Sequence, residues 1–276
     1  MILRKQIAGM NQHYQNYSLE YFFESQKRAG IESVELWMGY PHIWVGKELY
    51  PECRKIEKMA HTRGIGIVSA TIPSMAYQYQ YAPENKMQRE KGREYFQDGI
   101  RAAESLGCRI VSVNSGWGRN DRDREESLKI CIDFLREAAE FAALHHITLV
   151  MESLKKSESN LGVTAEQIKE IWERIGHPNL KIMIDTIAVW DSGESVQEWF
   201  DIFGDEIQHM HFLDGSPDFH NPWGWGNRSL YRELECLEKN NYRGYLVQEI
   251  VGERYCADPR KVDMEYMQYF SQFIHD

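Results

Sequence analysis

Paired cysteines are what this sequence most conspicuously lacks. Its five cysteines, Cys53, Cys108, Cys131, Cys236 and Cys256, are odd in number, scattered and never two residues apart. That spacing argues against a disulfide framework or a Cys-x-x-Cys zinc site and fits reduced thiols in a cytosolic protein. Long apolar runs are missing too. None approaches bilayer-spanning length, and the first residues, MILRKQIAGMNQ, hold no apolar stretch of the kind a secretion signal needs. Positive charge is scarce: 32 Lys and Arg against 42 Asp and Glu leave a net charge of −10, whereas nucleic-acid binding rests on clustered cations. The chain is expected to be soluble and cytoplasmic, without nucleic-acid or membrane partners. Self-association into a homo-oligomer is left open.

No Pro/Gly/Ser-rich linker or low-complexity tract divides the 276 residues, and 42% hydrophobic composition suffices for one large core. Short apolar runs alternate with longer amphipathic stretches. The runs are KQIAGM (5–10), SVELWM (33–38), GIVSAT (66–71), RIVSVNS (109–115), ITLVMES (147–153), KIMIDT (181–186), IQHMHFLD (207–214) and YLVQEI (245–250). Between them, Leu128, Ile132, Leu135 and Ala139 follow helical spacing within Glu125–His145, and Thr164 is placed to cap a helix over Thr164–Ile175. Eight strands alternating with helices predict an α/β fold, a single-domain (β/α)8 TIM barrel over residues 1–276. An open doubly wound sheet is the competing architecture. Its dinucleotide-binding version is not expected, because no GxGxxG loop follows the first strand.

Charged residues fall at one end of the last four strands. Glu152 ends ITLVMES, Asp185 ends KIMIDT, His211 sits late in IQHMHFLD and Glu249 late in YLVQEI. A buried ionised group costs several kcal/mol unless it is paired or metal-bound. Four of them at the C-terminal ends of successive strands would converge on the barrel mouth, where TIM-barrel active sites lie. Three carboxylates and one imidazole suit one divalent ion per chain of intermediate hardness, Mn²⁺ first, with Co²⁺, Mg²⁺ or Zn²⁺ as substitutes. Separate ion pairs capping the barrel are the alternative. His209, two residues before His211, projects to the same side and is read either as a packed histidine behind the site or as a further ligand. Glu158 follows six residues after Glu152, either as a solvated loop carboxylate or as an acceptor for substrate hydroxyls.

These segments, with VMESLKKSESN (150–160), VELWMGYPHIW (34–44) and NKMQRE (85–90), resemble the xylose-isomerase-like TIM-barrel superfamily of sugar isomerases and epimerases over nearly the whole chain. Within it the chain looks most like the ketose 3-epimerase branch, and nearest the fructoselysine 3-epimerases. The resemblance implies that Glu152, Asp185, His211 and Glu249 ligate the metal and that Glu152 and Glu249 form the acid/base pair. It implies that Glu158, His42 and His220 meet the substrate. Ala188 stands where the tagatose 3-epimerase pattern has a sugar-binding histidine, and Pro217 lies near the place of its companion arginine. A modified sugar of the fructoselysine kind is therefore implied ahead of a free ketohexose.

The implied reaction is C3 epimerisation of a ketose or fructosamine-type sugar, with a proton removed on one face and returned on the other. An aldose–ketose or hydroxypyruvate-type isomerase, or an inosose dehydratase-like lyase, would share the metal site. An endonuclease IV-like repair enzyme would need three metals and a basic surface, and a non-catalytic sugar-binding protein would need no opposed carboxylates. Aromatic loops at MAYQYQYAP (75–83) and NPWGWGN (221–227) are placed either to shield the reacting centre from water or, for Trp223 and Trp225, to pack under the helices or against another subunit. Lys155, Lys156 and Arg228 are candidate contacts for a substrate phosphate, but no glycine-rich cradle accompanies them.

Overall fold

Runs of four to six residues with apolar side chains at alternating or successive positions, too short for helices, form the strands. They are β1 (Ile7–Met10), β2 (Ser33–Trp37), β3 (Gly66–Thr71), β4 (Ile110–Asn114), β5 (Thr148–Glu152), β6 (Leu180–Asp185), β7 (Ile207–His211) and β8 (Tyr245–Gln248). A computed structural model describes residues 2–74, 78–215 and 220–275, and of Pro51 the backbone alone. The strands pair in parallel in chain order, and β8 returns to β1 to close the barrel. All eight expected segments carry a strand, with total lengths that differ by up to three residues and with the sixth beginning one residue earlier, at Leu180. The sixth stops at Asp185 because its carboxylate accepts from the backbone N–H of Ile187 at 2.6 Å and of Ala188 at 3.4 Å, turning Thr186 into the first residue of a helix.

Helices cover the outside: α1 (Leu19–Ala29), α2 (Tyr50–His61), α3 (Lys86–Ser105), α4 (Arg124–Leu144), α5 (Ala165–Ile175), α6 (Thr186–Ser192), α7 (Val196–Phe203), α8 (Leu230–Lys239) and α9 (Pro259–Phe270). None of them is long and apolar enough to cross a membrane. In α4, Leu128, Ile132, Leu135 and Ala139 are all buried, as their spacing requires. Helix α5 starts at a reciprocal cap between Thr164 and Gln167 and ends at Gly176, whose φ of +61° is a left-handed value that glycine adopts without strain. Its Ile168, Ile171 and Ile175 face the barrel, and burying each contributes about 1.5–3 kcal/mol.

Side-chain alternation divides each strand between two cores. Val34, Leu36, Val111, Val113, Leu149, Met151, Ile182 and Ile184 join the core beneath the helices. Ala8, Met10, Trp37 and Val247 form a small separate cluster inside the barrel. The remaining inward positions are largely polar: Glu35, Ser69, Thr71, Ser112, Asp185, His209 and His211. Two register shifts set this alternation. One falls between Val34 and Glu35 and brings Glu35 opposite Ser69; the other falls between Ile182 and Met183 and brings Asp185 opposite His211.

The loop after β7 is tied by one buried carboxylate. Asp214 accepts from the backbone N–H groups of Gly215 (2.6 Å), Gly224 (3.1 Å), Gly226 (2.8 Å) and Arg228 (3.0 Å). A side chain at Gly226 would meet Asp214 Oδ1 at 2.3 Å and Gly215 N at 2.4 Å, so only glycine fits there. Asp214→Ala leaves several donors without their partner, at about 1–3 kcal/mol for each that water does not reach. A drop in Tm of several degrees and new proteolytic cleavage near residues 224–228 are expected. An unchanged Tm would show that the loop is held by other contacts.

Candidate metal centre

The C-terminal ends of β5 to β8 bring Glu152, Asp185, His211 and Glu249 together. One potential ligand atom from each lies within 4.8 Å of all the others. Register explains the convergence: Asp185 lies opposite His211, and Glu152 ends β5 beside Asn114 of β4. Glu249 follows the last residue of β8. His211 and Asp185 are buried, while the Glu152 and Glu249 side chains keep 14% and 13% exposure, enough to face a substrate.

The orientation of His211 carries most of the information. Its Nδ1 lies 2.9 Å from Glu152 Oε1 and 3.1 Å from Glu249 Oε2, yet neither oxygen sits where an N–H could form a good hydrogen bond. A bare nitrogen lone pair facing two carboxylates is repulsive unless something positive stands among them. Without a metal that role falls to a proton: burial pushes the His211 imidazole down, but Glu249, Glu35 and Glu152 outweigh it and raise it well above its usual range. The donor set therefore fits a divalent cation, which would replace the proton and satisfy all four groups at once.

The carboxylates differ in their surroundings. Burial raises Glu152, and His211 opposes this only in part, leaving it pushed up to about 7. Burial also acts on Glu249, but His211 and His220 outweigh it and hold it down to about 2. Burial raises Asp185. His220 Nδ1 lies 3.2 Å from the Glu249 carbonyl oxygen and 3.3 Å from its Oε2. Burial would lower this imidazole, but Asp185 and Glu249 raise it to about 9.

Of the other sequence candidates, Glu158 holds Lys155 twice, accepting from its backbone N–H at 3.0 Å and lying 3.2 Å from its Nζ. Lys155 is half-buried and its charge reaches Asp185 and His220. Both nitrogens of His42 are taken within the chain, one by Asn11 at 2.8 Å and one by the Tyr17 carbonyl at 2.8 Å. Lys156 uses its backbone N–H on Asp191, and Arg228 stacks on the Trp190 ring at 3.9 Å. Trp223 is fully buried against Phe212 and Phe270, its indole N–H donating to the Phe212 carbonyl, while Trp225 stays 45% exposed beside Tyr255. Packing under the helices is thus the answer for Trp223. Residues 75–77 of the first aromatic loop, and Pro217, lie outside the described residues.

Sequence reading missed Glu35, a fully buried carboxylate in mid-β2. His209 Nε2 lies 2.5 Å from its Oε2 and His211 Nε2 lies 3.0 Å from its Oε1. Burial alone would raise Glu35, but His211 and His209 outweigh it and hold it well below the ordinary carboxylate range. The available signal was a lone acid inside an apolar strand, SVELW. His209 therefore sits behind the centre, on Glu35.

Two adjoining cavities of about 530 and 400 Å³ open on the same face over β2 to β4 and share Gln78 and Tyr79. Trp117 and Arg119 line the first, and the exposed Tyr40 and Trp44 line the second. The four acidic-centre residues line neither.

The sequence pattern of the xylose isomerase-like TIM barrel family matches residues 23–270. A fructoselysine 3-epimerase of Shigella flexneri is 24% identical over 274 residues, covering 95% of each chain. Among solved structures, a 3-keto-D-glucoside 4-epimerase from E. coli superposes with a TM-score of 0.80 at 18% identity, over 97% of this chain and 99% of that one. A D-psicose 3-epimerase crystallised with D-fructose gives a TM-score of 0.80 at 17% identity, over 98% and 100%. At these identities the structural likenesses speak for the fold.

Proposed function

The chain belongs to the xylose isomerase-like TIM barrel family, and from that premise we propose that it is a divalent-metal-dependent sugar epimerase acting at C3 of a ketose or fructosamine-type sugar such as fructoselysine or psicoselysine. The observation that carries this reading is the placing of both Glu152 and Glu249 beside His211 Nδ1, at 2.9 and 3.1 Å. The relation to a fructoselysine 3-epimerase over 95% of both chains supports the substrate class. An appendage on the sugar would extend into the cavities over β2 to β4.

Glu152, Asp185, His211 and Glu249 would hold the ion, with Mn²⁺ the best match to three carboxylates and one imidazole. Bound there, it would supply Lewis-acid polarisation of the substrate carbonyl and so acidify the neighbouring C–H bond. One of Glu152 and Glu249 removes the proton from that carbon, and the other delivers a proton to the opposite face. The roles exchange when the reaction runs backwards. Glu158, Lys155 and His220 would orient substrate hydroxyls, and His42 braces the loop after β2.

Incubation with Mn²⁺ and a panel of ketoses and fructosamines in D₂O tests the reading. Deuterium is expected at C3 of both epimers. Label confined to C1 or C2 would replace the epimerase by an aldose–ketose isomerase, and no exchange across the panel would sink the substrate class.

A further inference from the structure

We infer that Glu35 is the positioning residue of the metal centre: it holds the proton of His211 on Nε2, so that Nδ1 is delivered to the ion as a bare lone pair. The inference rests on the metal reading above and concerns a residue that donates no ligand to the cluster of four.

An ionised carboxylate only accepts, and its two oxygens offer about four lone-pair positions. All four are filled. Oε2 receives Ser69 Oγ at 2.5 Å and His209 Nε2 at 2.5 Å, while Oε1 receives Thr71 Oγ1 at 2.6 Å and His211 Nε2 at 3.0 Å. Ser112 lies 2.7 Å from Thr71 Oγ1, which lets Ser112 donate while Thr71 keeps its own proton on Glu35. Every partner of Glu35 must then be a donor, and both histidines must carry a proton on Nε2. For His211 this leaves Nδ1, already aimed between Glu152 and Glu249, as the nitrogen for the cation. A hydrogen bond from a ligand imidazole to a buried carboxylate fixes tautomer and ring angle and raises ligand basicity.

The half of the barrel that contributes no ligand, β2 to β4, thereby sets the geometry of the half that does. Complete burial of Glu35, His209 and His211 excludes water as a competing acceptor. Glu35, His209 and His211 also lie close enough to be considered as a second cation site. The two hydroxyl donors on Glu35 speak for a hydrogen-bonded carboxylate instead, so one ion per chain is expected.

The test uses the full chain loaded with Zn²⁺, which is diamagnetic. Long-range ¹H–¹⁵N spectra of wild type should place the His211 proton on Nε2 and the metal on Nδ1; a proton on Nδ1 overturns the inference without any variant. Glu35→Gln, whose amide must present a donor to one of its neighbours, should weaken Zn²⁺ binding about 10–100-fold in a chelator competition. Ser69→Ala, which removes one donor and no charge, should weaken it less. Unchanged affinity in a folded Glu35→Gln protein, or two Zn²⁺ per wild-type chain, would also overturn the inference. Should wild type bind no Zn²⁺, Co²⁺ or Mn²⁺ at all, the metal reading itself fails, which is a different result.

Discussion

Glu152→Gln and Glu249→Gln are each expected to lower turnover by about 10²–10⁴-fold at saturating Mn²⁺, the usual contribution of a positioned acid or base. Glutamine keeps the size of the side chain and one oxygen for the ion but cannot take up the proton. Saturating metal separates proton transfer from any loss of affinity, since both residues lie in the ligand cluster. The pattern of exchange is more telling than the rate. With one base missing, a substrate epimer whose proton faces the remaining carboxylate should still exchange with D₂O, but no inverted product should form. The two variants should therefore exchange opposite epimers. The double variant should cost little more than either single one, because inversion needs both steps. Full epimerase activity in either single variant would remove that residue from the mechanism.

Stripping the metal should abolish turnover and make the stability of the protein depend on pH. In the metal-free protein burial pushes Glu152 up to about 7, and Asp185 and Glu249 outweigh burial to raise His220 to about 9. A group that binds its proton more tightly when folded stabilises the fold below its unfolded value and loses that contribution as pH rises through the folded one. Glu152 accordingly contributes less from about pH 4.5 to 7, and His220 less from about 6.5 to 9. Glu249, held down to about 2, acts oppositely, and its contribution is lost only as pH falls from about 4.5 towards 2. The chelated protein should thus lose Tm steadily from pH 5 to 9. A bound ion takes the place of these protons, and at 100 times its Kd it adds about 2.7 kcal/mol, worth several degrees in Tm. The gap between Mn²⁺-loaded and chelated protein should widen with pH. A gap that is absent or narrows with pH would contradict the assignment of these groups to a cation site.

Much of this was legible in the sequence because period and position are local properties. Runs such as GIVSAT and KIMIDT announce strands by composition, and four charged residues at the ends of successive strands must meet if the strands close into a barrel. Glu152, Asp185, His211 and Glu249 do stand together. Glu35 escaped because its partners are remote: His209 and His211 lie 174 and 176 residues away, and nothing local marks a mid-strand acid as paired. Trp223 and Trp225 were equally opaque. Both sit in one glycine-rich loop, and only the fit of Trp223 against Phe212 and Phe270 separates the buried ring from the exposed one.

The register shift between β6 and β7 bears on any attempt to transplant this centre. Had the ladder continued evenly from Ile182 opposite Ile207, Asp185 would stand opposite Met210, which belongs to the core beneath the helices, and not opposite His211. One surplus residue on β7 reverses the parity of everything after it. Copying the four side chains at their present sequence spacing onto an evenly paired barrel would leave the imidazole pointing outward. The transferable unit is strand β7 with its surplus residue and its pairing; deleting Gln208 should even the ladder while His211 stays opposite Asp185.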